Sequence, residues 1–381
     1  MTGQCAVAAR ADWLPRTILG RCHALCASLR MLYLALYLAI NLPAEVVVVD
    51  QVSTPLLLLR LLGFPTIFYC HYPDLLLSPK GNLLKRLYRA PLNWLEQATT
   101  GLADIVLVNS NFTRGVFRAT FPSLTSVEPA VLYPSLATAI FQEAGVRPAE
   151  LRQDQRTDFL SLNRFERKKD IGLAIRALAL VPGGSARLVV AGGYDSRVRE
   201  NVEHLEELQG LAEELGLAHR VAFLTSPSDS EKVWLLKNAS CLLYTPANEH
   251  FGIVPLEAMH CGTPVLAVAS GGPLETVEHG VTGWLVEGEP RAWAAVMEGV
   301  LAGGADRLAA MGEAGRARVA KYFSFPAFAQ HLEDYVTISV AGRPPPTPFS
   351  FGKLLGRLAL AFHFSMAIIL LFWMVFWTPL P

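Results

Sequence analysis

The sequence is poor in charge. Only 17% of its 381 residues are charged, and 33 Lys plus Arg exactly offset 33 Asp plus Glu. A chain with no basic excess lacks the electrostatic footprint of a nucleic-acid binder, so that class is excluded. Cysteine is also sparse. Six cysteines, with no CxxC pair and no His/Cys run at metal-ligand spacing, exclude a disulfide scaffold and point away from a zinc site. They read as reduced thiols of a cytosol-facing chain. Hydrophobic residues are not scarce: they reach 52%, and the mean hydropathy is +0.32. That excludes disorder over the whole chain and directs attention to membrane segments.

Two apolar runs account for the excess. Ala24–Leu42 has 19 residues and one charge, Arg30. A helix on or in a membrane and a buried helix of a globular domain are equally good readings of it. A cleaved leader fits poorly, because the run starts late and no small-x-small site separates it from the strand at Val46. Leu358–Thr378 has 21 residues and no formal charge. As a helix it would be about 31 Å long, which matches a bilayer core. Lys353 and Arg357 precede it, and Trp373 and Trp377 lie near its far end. This is the pattern of a transmembrane helix whose preceding domains face the cytosol. The Pro-rich stretch before it, within residues 341–357, reads as an extended linker.

Between these runs, short apolar stretches alternate with helical ones. Val46–Val49, Thr66–Cys70 and Ile105–Val108 read as strands, interleaved with helices at Leu56–Leu62, Asn82–Thr100 and Asn111–Thr120. The pattern dissolves near residues 136–156. It then resumes with strands at Phe159–Leu162, Leu188–Ala191, Val221–Leu224, Cys241–Tyr244 and Val265–Val268. Helices accompany these strands as far as Arg307–Tyr322. Alternation of this kind predicts an α/β fold of two doubly wound parallel sheets, a first domain over residues 1–140 and a second over 156–337. Ligands in such folds sit at the carboxyl ends of strands, here in the cleft between the domains.

The chemistry-bearing residues fall at those strand ends. In Leu162-Asn-Arg-Phe-Glu-Arg-Lys-Lys-Asp170, Arg164 and Lys169 stand across one turn, able to clamp a diphosphate; a solvated basic loop is the plainer alternative. Gly192 and Gly193 end the next strand and allow close backbone approach. Thr245-Pro-Ala-Asn-Glu-His-Phe-Gly-Ile-Val-Pro-Leu-Glu257 places Glu249 in a loop and Glu257 one turn inside a helix. Free amides from Phe251 onward are placed to receive an anion. Ser270-Gly-Gly-Pro-Leu-Glu275 repeats the logic at the following strand.

On the Glu249/Glu257 pair, the Asn163–Lys169 turn and the Ser270–Gly272 loop, the chain resembles the retaining GT-B glycosyltransferases of family 4. Longer strings are similar to the alpha-1,3/1,6-mannosyltransferases of dolichol-linked oligosaccharide synthesis. CHYPDLLL, KRLYRAP, VNSNFT and VLYPS lie in the first domain, and NRFERKK, AGGYD, LYTPANEHFGIVPLEAM and GRARV in the second. The resemblance covers roughly residues 11–337.

The resemblance implies a GT-B fold and a retaining enzyme. It would move mannose from GDP-mannose to Man1GlcNAc2-diphosphodolichol and then to the Man2 product, on the cytosolic face of the endoplasmic reticulum membrane. No metal or other cofactor is implied. Arg164 and Lys169 would hold the diphosphate, Gly192 and Gly193 would pass close to the nucleotide, and Glu257 would bind the ribose. Glu249 and the amides of Phe251 and Gly252 would meet the mannose and the diphosphate, and His71 the transferred sugar or the acceptor. Early glycosyltransferases of the same route are implied as possible partners. The family's first strand, glycine-rich loop and helix precede the region of Asp12, and only eleven residues precede it here. The expectation is therefore an incomplete first domain. A non-catalytic relative, binding nucleotide sugar or a partner enzyme, is the alternative function.

Overall fold

The structure is a computed structural model that describes residues 11–341 except 12, 19–21, 43, 78–82 and 152–156. The linker from 342 onward, the apolar run Leu358–Thr378 and the segment ahead of Ala11 lie outside these residues. The chain divides into two compact units. Among the described residues, one comprises those within 11–108, 114–131 and 332–341, the other those within 109–113 and 132–331.

The first unit holds four parallel strands in sequence order: β1 (Val47–Asp50), β2 (Thr66–Cys70), β3 (Ile105–Val108) and β4 (Ala130–Val131). β2 is buried along its whole length, as a parallel strand covered on both faces must be. The helix Pro55–Leu62 crosses between β1 and β2. It starts with Pro55 in its first turn and stops at Gly63, which adopts the left-handed conformation (φ 84°) that a helix end favours. The apolar run near the N-terminus is a helix, His23–Asn41, with only Cys26, Ala35 and Ala39 buried. It is long and apolar enough to cross a membrane, by length and composition only.

The second unit holds β5 (Thr157–Leu162), β6 (Leu188–Gly192), β7 (Val221–Thr225), β8 (Ala239–Tyr244), β9 (Val265–Val268) and β10 (Gly283–Val286). All pair in parallel, in the order β10-β9-β8-β5-β6-β7. Counted from the unit's own first strand this is the doubly wound order 3-2-1-4-5-6, and its direction of winding reverses between β5 and β8. Alternate side chains of the strands go to opposite cores. Leu160, Leu162, Val189, Ala191, Leu242 and Ala267 enter one. Phe159, Leu188, Val190, Cys241, Leu243 and Leu266 enter the other. With both faces apolar the strands read as continuous hydrophobic runs, which is why they were legible in the sequence.

Two strands and two helices were not, one of the helices being the single turn Asp74–Leu77. β4 is two residues long and has no periodicity to show. β10 begins with Gly283, whose missing Cβ would stand 2.1 Å from the Val265 carbonyl oxygen, and its next three residues are only half-buried. The helix Phe325–Val340 follows directly on a break at Phe323–Ser324.

Candidate active site

The carboxyl ends of β5 and β8 form the site. After β5 the chain turns tightly. The Asn163 amide donates to Ala191 O at 3.0 Å and the Phe165 amide to Gly193 O at 3.2 Å, which lace the turn to the end of β6. Phe165 is fully buried and anchors the turn from below. Gly192 is required for this lacing: a Cβ there would stand 1.8 Å from Asn163 O. Gly193 leaves room for the Arg164 stem, whose Cγ would lie 3.2 Å from a Cβ. The absent side chains at both glycines thus admit the protein's own Asn163–Arg164 turn. A short 3-10 turn, Arg167–Lys169, then presents Lys169, whose carbonyl accepts the Thr245 hydroxyl at 2.6 Å.

Beyond β8, the loop carrying Glu249 is held from behind. The Gly272 amide donates to Glu249 O at 2.7 Å, and the Asn248 amide to Ser270 Oγ at 2.9 Å. A Cβ on Gly272 would stand 2.2 Å from Phe251 O, so only glycine allows this approach. Ser270–Gly272 therefore supports the Glu249 loop rather than offering a second anion turn. Gly252, at φ 83°, opens the helix Ile253–Cys261. Among the described residues, the amides of Phe251, Gly252, Ile253 and Val254 have no hydrogen-bond acceptor, so the start of this helix keeps its donors and its positive dipole end free.

These elements enclose a pocket of about 530 Å³, within the range of small-molecule sites. Arg164, Lys169, Gly192, Gly193, Glu249 and Glu257 all line it, together with Ile253 and Val254. Lys169 Nζ donates to Glu249 Oε1 at 2.8 Å and the Tyr244 hydroxyl to Glu249 Oε2 at 3.2 Å. Burial pushes the Glu249 carboxyl up, but the Lys169 hydrogen bond and charge, with the Tyr244 hydroxyl, outweigh it and hold the group below its ordinary value. Glu257 goes the other way. Burial raises it, and Lys232, at 3.1 Å, offsets this only in part. The two carboxylates of one pocket are thus pushed apart in acidity, Glu249 kept ionised and Glu257 readier to hold a proton. Arg164 is the exposed cation: its side chain is 63% exposed and pairs with Glu166 at 3.1 Å.

The other expected residues lie elsewhere. The ring of Phe251 is buried, stacked on Tyr133 at 5.9 Å and edge-on to Phe323 at 5.8 Å, so only its backbone remains for a ligand. Phe251 and Gly252 do not line the pocket. His71 belongs to the first unit, just past β2. There its Nε2 lies 2.9 Å from Asp50 Oδ1, its amide donates to Gln51 Oε1 at 3.1 Å, and its ring leans on Tyr69. Sequence reasoning missed Lys232, Tyr244, Asn163 and Ser226, which also line the pocket. Asn163, Ser226 and Tyr244 sit at or just beyond the carboxyl ends of β5, β7 and β8, the signal already used for Arg164 and Glu249. Lys232 is one turn into the helix Asp229–Asn238, whose start is fixed by the reciprocal Ser228/Glu231 cap. Among the described residues, no three His, Cys, Asp or Glu side chains cluster as metal ligands.

The model of the glycosyl transferases group 1 family matches residues 145–318, which contain every residue lining the pocket. The chain is 48% identical over 343 residues to the alpha-1,3/1,6-mannosyltransferase ALG2 of Homo sapiens, covering 86% of this chain and 82% of that protein. The chain belongs to the alpha-1,3/1,6-mannosyltransferase family. The Saccharomyces cerevisiae member is 41% identical over 377 residues, covering 88% of this chain and 74% of its own length. Solved structures show the same fold at low identity. HepE of Anabaena in complex with UDP has a TM-score of 0.64 at 21% identity, over 81% of this chain and 82% of its own. Sucrose-phosphate synthase from Thermosynechococcus elongatus has 0.67 at 23%, over 87% and 83%. This mannosyltransferase therefore has the GT-B fold. Its pocket, at the switch point of the second sheet, brings three cations, Arg164, Lys169 and Lys232, to two carboxylates and an open helix start.

Proposed function

We propose that the pocket binds GDP-mannose and that the protein transfers its mannose, with retention of configuration, to a dolichol-diphosphate oligosaccharide, forming an alpha-1,3 and an alpha-1,6 linkage in turn. The observation that carries this reading is the Lys169–Glu249 pair beside the unoccupied amides of Ile253 and Val254. A cation and a helix start converge where a diphosphate would lie, and an ionised carboxylate stands next to them to accept hydrogen bonds from sugar hydroxyls.

In the transfer, the bond from the anomeric carbon to the diphosphate breaks and its electron pair leaves on the phosphate oxygen; over the whole reaction an acceptor hydroxyl oxygen becomes bonded to the anomeric carbon and its proton passes to the released diphosphate or to solvent. Lys169, a swung Arg164 and the helix amides would stabilise that charge as it grows, the role a metal plays in other enzymes. We therefore propose that no metal is needed. Glu257, lining the pocket beside Lys232 and readier than Glu249 to hold a proton because it is buried, fits a diol such as ribose. Family membership supports a lipid-linked acceptor. The apolar helix His23–Asn41 and the uncharged run Leu358–Thr378 support a place on the endoplasmic reticulum membrane, with both units in the cytosol. No observation favours a non-catalytic role.

The test is transfer of radiolabelled mannose from GDP-mannose to the lipid-linked acceptor by the purified full chain, beside Glu249→Ala. The expected outcome is labelled lipid with the native chain and a kcat lowered about 100-fold or more in the variant. Equal turnover by the variant, or transfer only from another nucleotide sugar, would overturn the reading.

A further inference from the structure

The helix Leu83–Thr100 of the first unit exposes an apolar stripe. Leu83, Leu87 and Trp94 are 67%, 63% and 71% exposed, and Ala90 and Ala98 are exposed between and beyond them. Their spacing of four, seven, eleven and fifteen residues from Leu83 is the repeat of one helical face, about 22 Å long. The opposite face is committed. Glu96 points inward and accepts the Asp74 amide at 2.6 Å and the Leu75 amide at 3.0 Å, and Arg89 Nη2 donates to Asp74 Oδ2 at 2.9 Å. These bonds tie the short helix Asp74–Leu77 to the longer one, and the short helix adds exposed Leu76 and Leu77.

Contiguous outward apolar rows are rare on soluble monomers and mark interaction surfaces. Its chemistry selects an occupant. From Leu83 to Leu95 the helix contains no Asp or Glu, and Arg86 is exposed on the flank of the stripe. An apolar row with a tryptophan and an unopposed cation suits the boundary between lipid headgroups and acyl chains. The same unit holds a second helix of this character, His23–Asn41, with Leu29, Leu36 and Ile40 exposed at helical spacing. The two touch where the Leu25 amide donates to the Tyr88 hydroxyl at 3.3 Å. The same chain carries the 21-residue uncharged run Leu358–Thr378.

We propose that the Leu83–Ala98 face of the first unit lies on an anionic phospholipid surface, with Trp94 at the headgroup boundary. The contact would hold this unit down on the bilayer independently of any terminal anchor. The proposal deepens the membrane reading above, and the two fail separately in one experiment. The full chain is reconstituted in vesicles of phosphatidylcholine with phosphatidylserine, some carrying brominated acyl chains that quench nearby tryptophan. Trp94→Phe is expected to abolish one share of the quenched emission. Leu83→Glu with Leu87→Glu is expected to abolish the same share while circular dichroism is unchanged. Vesicles of phosphatidylcholine alone should quench Trp94 less. Trp373→Phe with Trp377→Phe reports the tail by itself, so loss of the tail signal bears only on the anchor. Equal quenching in the native chain and Trp94→Phe would overturn the proposal. So would a dimer in sedimentation that Leu83→Glu with Leu87→Glu dissociates, since the stripe would then face a second copy.

Discussion

The two units are built on the same plan and stabilised very differently. Among the described residues, the second unit packs two buried apolar clusters of 24 residues each, one on either face of its six-stranded sheet. The first packs one cluster of 11 on its four strands. The second unit spends its polar side chains around a pocket. The first displays leucine and tryptophan on its outside. The difference teaches that a parallel sheet covered on both faces can hold several charged groups at its strand ends, because the cores beneath fix the turns. With its smaller core the first unit leaves leucines and a tryptophan in exposed rows.

The largest expected effect breaks this contrast at its two tryptophans. Trp293 is fully buried and its indole donates to Glu287 O at 3.0 Å, whereas Trp94 is exposed. Trp293→Ala should cost about 4 kcal/mol, and Trp94→Ala less than about 0.5 in solution. Urea unfolding of both variants checks the pair; equal losses would mean that Trp94 is as well buried as Trp293.

Next in size is a pH effect confined to the first unit. Burial pushes the Glu96 carboxyl from an ordinary 4.5 up to about 7, against the pull of the Asp74 and Leu75 amides. A carboxyl raised by folding favours the folded state while protonated. That contribution is complete below about 4.5 and is lost as the pH climbs through about 7. The change is on the order of 3 kcal/mol. Melting curves of Glu96→Gln should therefore fall less between about pH 5 and pH 8 than those of the native chain. An unchanged pH dependence would show that Glu96 is not the group responsible.

The smallest of the three sharpens the picture of the second unit's pocket. Lys169 is buried and paired with Glu249, whereas Arg164 is largely exposed. Calorimetry with GDP should show Lys169→Ala weakening binding by about 2 kcal/mol, roughly 30-fold, and Arg164→Ala by nearer 1.5. No change in either variant would remove both from the phosphate site.

Much of the fold was legible because the strands are apolar throughout. β2, β3 and β9 appear with the boundaries their hydrophobic runs predict, as does the helix Asn111–Thr120. β4 and β10 were not legible, one being too short and the other only half-buried. In the site, the cations and carboxylates of the Asn163–Lys169 and Glu249–Glu257 segments were readable because each follows a strand. Lys232 and Tyr244 were hidden by ordinary settings, a lysine on a polar helix and a tyrosine ending an apolar strand.

The sequence by itself determined the α/β alternation, the strand-end chemistry and the membrane-like hydrophobicity, because all three are written in local periodicity and residue type. Only the tertiary structure decided which carboxylate pairs with which lysine. It also decided that Gly192 and Gly272 make room for the protein's own carbonyls, and that Leu83, Leu87 and Trp94 share an exposed outward face. The physical reason is distance along the chain. Lys169 and Glu249 are 80 residues apart and meet only because the sheet reverses its winding between β5 and β8. No local pattern records that reversal.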